Sequence, residues 1–323
     1  MDDETPKLGR SERARSRSRV VVSTLAAGAA VAYLGYELWS SWGEVRAIPW
    51  SSGTSFFFVA LVVTLHVAVT LFDGFAWGWL LRRLGVDAAT RQAVSVFAVA
   101  QFGKYLPGNV AQHVGRVAFA RKAGWSISRV VVSMLLENGF AAGTCALVVS
   151  VALVGKLGGV AHAEHSTPLL GALVVGFVAG VVVAQRLLAS PPAFVRTRLA
   201  LGEPVVLSAS TLGTYLAVNL ISLAALGASF TLSLRSLGPL TVQPLWFVPA
   251  AAMAAWLFGY IVPGAPAGLG VREAGLVALL GPMLGPGVVA TAALVWRIAS
   301  LAGDCAVFVI GLGISKRTLQ SKI

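Results

Sequence analysis

A chain of 323 residues, 57% hydrophobic and only 12% charged, is no soluble domain, since soluble domains carry about 25% charged residues. The net charge of +12 would point to nucleic acid in a soluble protein. Here the cations flank apolar runs, the pattern of cytoplasmic loops in a membrane protein, so nucleic acid is excluded as a partner. The only cysteines, Cys145 and Cys305, sit inside apolar runs and are expected to be small core residues, so neither a disulfide framework nor a metal cluster is indicated.

Residues 1–19 are expected to form a disordered, basic cytoplasmic tail, with Arg10, Arg13, Arg15, Arg17 and Arg19 ahead of the first apolar run. That run, near 20–40, exceeds a signal-peptide core and lacks a good cleavage site, so it reads as an uncleaved span leading outward. Trp39, Trp42 and Trp50 mark an outer interface, and a second span near 55–81 returns to Arg82, Arg83 and Arg91. Only twelve uncharged residues separate Arg91 from Lys104, about 18 Å of helix against a hydrocarbon core of about 30 Å. With cations at both ends, 92–128 reads as a re-entrant hairpin broken at Pro107-Gly108. It must lie inside the molecule, because lipid satisfies no backbone hydrogen bonds.

Spans near 130–155, 167–188 and 205–234 follow, then a segment 236–286 broken between Pro263 and Gly270, a last span near 287–313 and a cytoplasmic tail, 316–323. Parity places both ends of 236–286 outside the cell. It leaves open whether the segment is re-entrant or crosses twice, its first arm being long enough to span. The predicted fold is thus an all-α polytopic membrane protein of about six full spans plus two broken, re-entrant hairpins. Residues 20–315 form one domain in the cell membrane, with both termini cytoplasmic.

The two breaks match. Phe102-Gly103, Pro107-Gly108 and Arg116 recur as Phe258-Gly259, Pro263-Gly264 and Arg272, five identities at one offset of 156 residues. One break faces the cytoplasm and the other the outside, so repeat one (about 20–160) and repeat two (about 165–315) form an inverted pair, the plan of secondary transporters with the site at the repeat interface.

A Pro-Gly pair ends a helix and frees amides that can point at an anion, and an arginine a few residues on supplies a cation of phosphate-matching geometry. Arg116, Arg272, Lys104, Asn109, Gly108 and Gly264 are therefore the candidates for a headgroup-phosphate site. The plainer readings are a cytoplasmic flanking residue for Arg116 and an ion pair with Glu273 for Arg272. His66, Asp73, Glu137, Arg297 and Asp304 lie within spans, where ionisable groups mark function. His66 and Asp73, like Arg297 and Asp304, are seven residues apart and share a helix face, so each couple is a candidate buried pair. Glu137 and Arg297 occupy equivalent spans and are placed to pair across the repeat interface or to carry a coupling proton. Asp73 and Asp304 are expected near the cytoplasmic ends of their spans. Gly74/Gly78 and Gly176/Gly180 have the spacing of close helix packing.

At Lys104 to Arg116 (KYLPGNVAQHVGR), followed by Leu136-Glu137, and at Val262 to Ala274 (VPGAPAGLGVREA), the sequence resembles the transmembrane flippase domain of lysylphosphatidylglycerol synthases and its stand-alone relatives. The resemblance covers nearly the whole chain after the basic tail. It implies lipid translocation or binding and, without the aminoacyl-transfer domain that the synthases add, not lipid synthesis. Ala265-Pro266 departs from the family's second glycine, and Asn138 stands where an arginine is frequent.

The expected function is a flippase for an anionic phospholipid or a polyprenyl-linked headgroup, with Arg116 and Arg272 as clamps reached from opposite sides. The alternatives are a non-transporting partner presenting lipid to a separate transferase, and a small-solute transporter built on Glu137, Arg297 and His66. No nucleophile-base set, metal cluster or cofactor motif appears, so no enzyme and no cofactor are expected.

Overall fold

The computed structural model describes Trp39, Trp42 and residues 53–105, 110–157, 163–190, 193, 206–239, 245–262 and 266–320. The basic tail, most of the span expected near 20–40 and Trp50 lie outside the described residues. Within them the chain is helical throughout and has no strand. In order come α1 (Gly53–Arg83), α2 (Thr90–Gln101), α3 (Ala111–Lys122), α4 (Ile127–Leu157), α5 (Ala163–Ala189), α6 (Ala209–Arg235), α7 (Phe247–Ile261), α8 (Val271–Leu284) and α9 (Pro286–Gln320). Short 3-10 turns, Phe102–Tyr105 and Pro266–Gly268, lie between α2 and α3 and between α7 and α8.

Five helices, α1, α4, α5, α6 and α9, are long and apolar enough to cross a membrane, and they fall on the five later spans read from the sequence. Their outward faces carry large apolar side chains such as Phe56, Phe57, Val175, Ile298 and Val309, exposed as lipid contact requires. Local signals set the ends. Arg82 and Arg83 close α1, where cations complement the helix dipole, and the Ser208 hydroxyl accepts from the Thr211 amide to cap α6. α7, by contrast, begins only at Phe247 and has 15 residues, and α8 has 14. At 1.5 Å per residue each is about 22 Å or less, shorter than a bilayer core of about 30 Å. α9 continues through the expected tail to Gln320.

Each pair of short helices is embedded between two long ones. Trp77 and Leu81 of α1, Val96 and Phe97 of α2, Ala120 of α3 and Val130 and Met134 of α4 form one core cluster. Phe230 and Leu234 of α6, Val248 and Ala252 of α7, Leu276 and Leu280 of α8 and Trp296 of α9 form another. The two groups interlock, since α2 packs on α9, α7 on α4, and α1 on α6. α5 packs chiefly against α4, at the periphery, and its Phe177, Val181 and Leu188 join the cluster that holds Leu207 and Tyr215.

The glycine spacings divide. At Gly74 and Gly78 an added Cβ would stand 3.3 Å from Phe97 and 2.7 Å from Ala93, so α2 lies hard against α1 there, whereas at Gly176 and Gly180 it would meet nothing. Of the cysteines, Cys145 is buried and its thiol reaches the Met253 carbonyl at 3.3 Å, but Cys305 is exposed on α9, against expectation, because its position faces away from the packed side. Replacing Gly78 by Val is expected to force α1 and α2 apart and to lower stability by roughly 1–3 kcal/mol. Thermal unfolding of detergent-solubilised protein reads this as a reduced midpoint. Gly176→Val, facing open space, is expected to leave the midpoint in place.

Candidate functional site

α9 places two charges on one face, Arg297 and Asp304, two turns apart. Charge inside an apolar span is costly unless it is paired, and each is paired, though not with the other. Asp304 has its side chain 1% exposed. Its Oδ1 accepts from His66 Nε2 on α1 at 2.9 Å and from Lys104 Nζ at 2.9 Å, and its Oδ2 accepts from the Tyr105 hydroxyl at 2.5 Å. Lys104 and Tyr105 belong to the turn that ends α2, so this carboxylate ties the first break to α1 and α9. Gly303 permits the approach, because a Cβ there would stand 2.7 Å from the His66 ring.

Arg297 secures the second break in the same way. Its Nε donates to Glu273 Oε1 at 2.8 Å, its Nη2 lies 2.7 Å from the same oxygen, and its Nη1 donates to the Ala267 carbonyl at 3.1 Å. Ala267 has φ 51°, a left-handed backbone that L-residues adopt reluctantly, and the arginine holds its carbonyl. Glu273 Oε2 accepts from the Gly270 amide at 2.7 Å, capping α8. One ion pair thus fixes both the bend and the helix that follows it.

In the first half the corresponding pair has reversed polarity. Arg116 on α3 donates through Nη1 to Glu137 Oε2 on α4 at 2.5 Å, and its guanidinium lies 4.1 Å from the centre of the Phe97 ring and 5.1 Å from Trp77. It is 2% exposed, and its Nε has no partner. Two charged groups remain over. Asp73 on α1 accepts from the Ser222 hydroxyl at 2.6 Å and meets no cation at salt-bridge distance among the described residues. Arg272 on α8 forms no hydrogen bond or ion pair among the described residues, and its buried Nε is unpartnered. Its side chain threads between Gly259 and Gly268, where added Cβ atoms would stand 2.5 Å from its Cγ and 2.7 Å from its Nε respectively. At Gly103, the equivalent of Gly259 in the motif, a Cβ would instead strike the start of α3, 2.5 Å from the Gln112 amide nitrogen.

All these groups line one cavity of about 280 Å³, bounded by every long and short helix except α5. The two broken turns meet beside it. Its remaining wall is aromatic and amide-rich, with Trp256 stacked on Tyr260 at 5.3 Å, and with Asn138, Asn219 and Tyr215. This volume lies near the lower end for small-molecule sites, roughly 300–1,000 Å³, and suits a headgroup better than acyl chains.

The structure therefore brings His66, Asp73, Lys104, Arg116, Glu137, Arg272, Glu273, Arg297 and Asp304 to a single cavity. Gly108, Asn109 and Gly264 lie outside the described residues. The pairings differ from the sequence reading. His66 meets Asp304 rather than Asp73, Arg297 meets Glu273 rather than Asp304 or Glu137, and Arg272 does not pair with Glu273. Seven-residue spacing aligns side chains along one face, where they are too far apart to touch, so their partners come from other helices. Asp304 also falls near the middle of the 35-residue α9 rather than at its end. Tyr105 and Ser222 are site residues that the sequence reading does not single out. Tyr105 was visible beside Lys104 in the first motif, but a lone serine in an apolar run carries no signal.

A helical membrane protein with interlocked hairpins around a charged interior cavity is the class that this geometry defines. A family model described as the lysylphosphatidylglycerol synthase TM region matches residues 20–307, and the chain belongs to that family. The matched region is the transmembrane one of those synthases. No curated protein shows significant similarity to the chain.

Arg116→Met is expected to strand Glu137 in the cavity wall and to cost about 3 kcal/mol, while Arg116→Met/Glu137→Gln together restore most of that stability. A double-mutant cycle on thermal unfolding measures the coupling. Additive effects contradict the pairing.

Proposed function

We propose that this protein binds the phosphate of a membrane phospholipid or lipid-linked headgroup in the central cavity and moves it between leaflets. The observation that carries the reading is Arg272, a cation without a partner among the described residues, held between two glycines in a cavity beside both helix breaks. A half-buried guanidinium without a carboxylate calls for an anion, and its planar fork matches phosphate. Lys104, bound to Asp304 at the neighbouring turn, is the second cation within the same cavity. Arg116, already engaged by Glu137, serves here to hold the first hairpin rather than the substrate. Membership of a family named for phospholipid synthesis supports a lipid as the ligand.

Alternating access follows from an inverted repeat. Its support is the shared 156-residue register, which carries the start of α1 at 53 onto that of α6 at 209. The packing also maps onto itself when α1 to α4 are exchanged for α6 to α9. On this plan the two hairpins are re-entrant, each too short to cross, and α5 is the counterpart of the span near 20–40. The basic flanks of the apolar runs support a cytoplasmic side for both termini at the cell membrane.

Reconstitution into vesicles with a fluorescent phospholipid tests the reading. A charge-assisted hydrogen bond is worth about 1.5–3 kcal/mol, so Arg272→Ala is expected to slow translocation about ten- to a hundredfold. Wild-type transfer no faster than that of Arg272→Ala refutes it. Gly259→Val, which fills the space the arginine passes through, is expected to produce a loss of similar size. Lipid binding without leaflet exchange would point instead to presentation of lipid to a separate transferase. A flux independent of headgroup would point to a solute transporter.

A further inference from the structure

The cavity is lined by four Lys and Arg cations, Lys104, Arg116, Arg272 and Arg297, by four acids, Asp73, Glu137, Glu273 and Asp304, and by His66 and His113, taken as neutral imidazoles. Three cations and three acids pair off as Arg116 with Glu137, Arg297 with Glu273 and Lys104 with Asp304. One of each is left, Arg272 and Asp73, on different helices and not in contact as an ion pair. An apolar interior penalises net charge heavily. The charges of these lining Lys, Arg, Asp and Glu side chains sum to zero. A phosphodiester on Arg272 alone would leave the cavity with an excess negative charge, and one proton on Asp73 restores neutrality.

We propose that Asp73 is a proton-binding site and that a singly charged phosphodiester lipid crosses together with one proton, as an electroneutral symport. This rests on the lipid-translocation reading above. The surroundings of Asp73 fit a proton better than a metal cation. Among the described residues its side chain has one hydrogen-bond partner, the Ser222 hydroxyl. Nearby on α6, Tyr215 is 4% exposed and lines the cavity, and its hydroxyl has no hydrogen-bond partner among the described residues. The neighbouring amides of Asn219 and Asn138 donate to the carbonyls of Tyr215 and Met134.

The charged and titratable groups facing Asp73 are accounted for on every element packed against α1. α4 presents Glu137, held by Arg116 of α3. α9 presents Asp304, held by Lys104 and by His66 of α1 itself, and Arg297, held by Glu273. α2 contributes Gln101 and no charge to the cavity, α6 contributes Tyr215, and His113 of α3 lines the wall beyond Arg116. Asp73 is the acid among them without a cation, and Glu137 is a second acid close by, so an added proton there relieves repulsion as well as burial.

In vesicles with an imposed pH gradient and no membrane potential, the wild type is expected to accumulate a fluorescent phosphodiester lipid in the leaflet facing the alkaline side. One proton per lipid corresponds to about a tenfold leaflet ratio per pH unit. A membrane potential alone is expected to have no effect. In Asp73→Asn, which keeps the shape and the Ser222 contact, the ratio of flux with the gradient to flux without it is expected to fall to one. Asp73→Glu is expected to retain a response. An Asp73→Asn variant as gradient-sensitive as the wild type, a wild type insensitive to the gradient, or driving by a sodium gradient overturns the proposal.

If the wild type moves no lipid under any condition, the transport reading fails instead, and infrared difference spectroscopy decides Asp73 separately. A titrating carboxylic-acid C=O band that is lost in Asp73→Asn supports the proton site. Its absence from the wild type at every pH overturns it.

Discussion

Arg297 and Asp304, two turns apart on one face of α9, tie down both places where the helical backbone is broken. The physical constraint is plain. A charge in an apolar environment must find a counter-charge, and a broken helix must find partners for its freed amides and carbonyls. α9 meets both demands at once. Arg297 holds the Ala267 carbonyl and, through Glu273, the start of α8, while Asp304 gathers Lys104 and Tyr105 at the end of α2. Without these contacts the two turns would have no reason to meet at the centre of the molecule.

The two copies of the motif are used differently. Each joins the helix after a break to the next long helix by an ion pair, yet the polarity is reversed, Arg116 to Glu137 in one and Glu273 to Arg297 in the other. In the first half the motif arginine is therefore the structural partner. In the second the structural partner comes from α9 and the motif arginine is left over. One motif at one spacing thus yields one cation committed to packing and one open to the cavity, which is the asymmetry on which the proposed chemistry rests.

Helix existence was readable because lipid-facing segments need long uncharged runs, and five such runs became α1, α4, α5, α6 and α9. The two breaks were readable for the same reason, since Pro-Gly within an apolar run has a single physical meaning. The length of α7 was less so, because apolar composition continues past the point where the helix begins at Phe247. The pairing of charges was the least legible. Side chains seven residues apart announce a shared face, not a contact, and Gly259 shows its purpose only once Arg272 is seen passing it at 2.5 Å from its would-be Cβ.

By itself, then, the amino-acid order determined that this chain is a helical membrane protein, where its long helices run, that it carries one motif twice, and which ionisable residues would be drawn to the interior. Those features depend on local composition and on the energy of placing each residue in or out of lipid. Only the tertiary structure decided which acid meets which base, because that depends on how α1, α4, α6 and α9 rotate against the two hairpins. From that arrangement alone came the two cavity charges without an ion-pair partner among the described residues, Asp73 and Arg272, and the cavity they share.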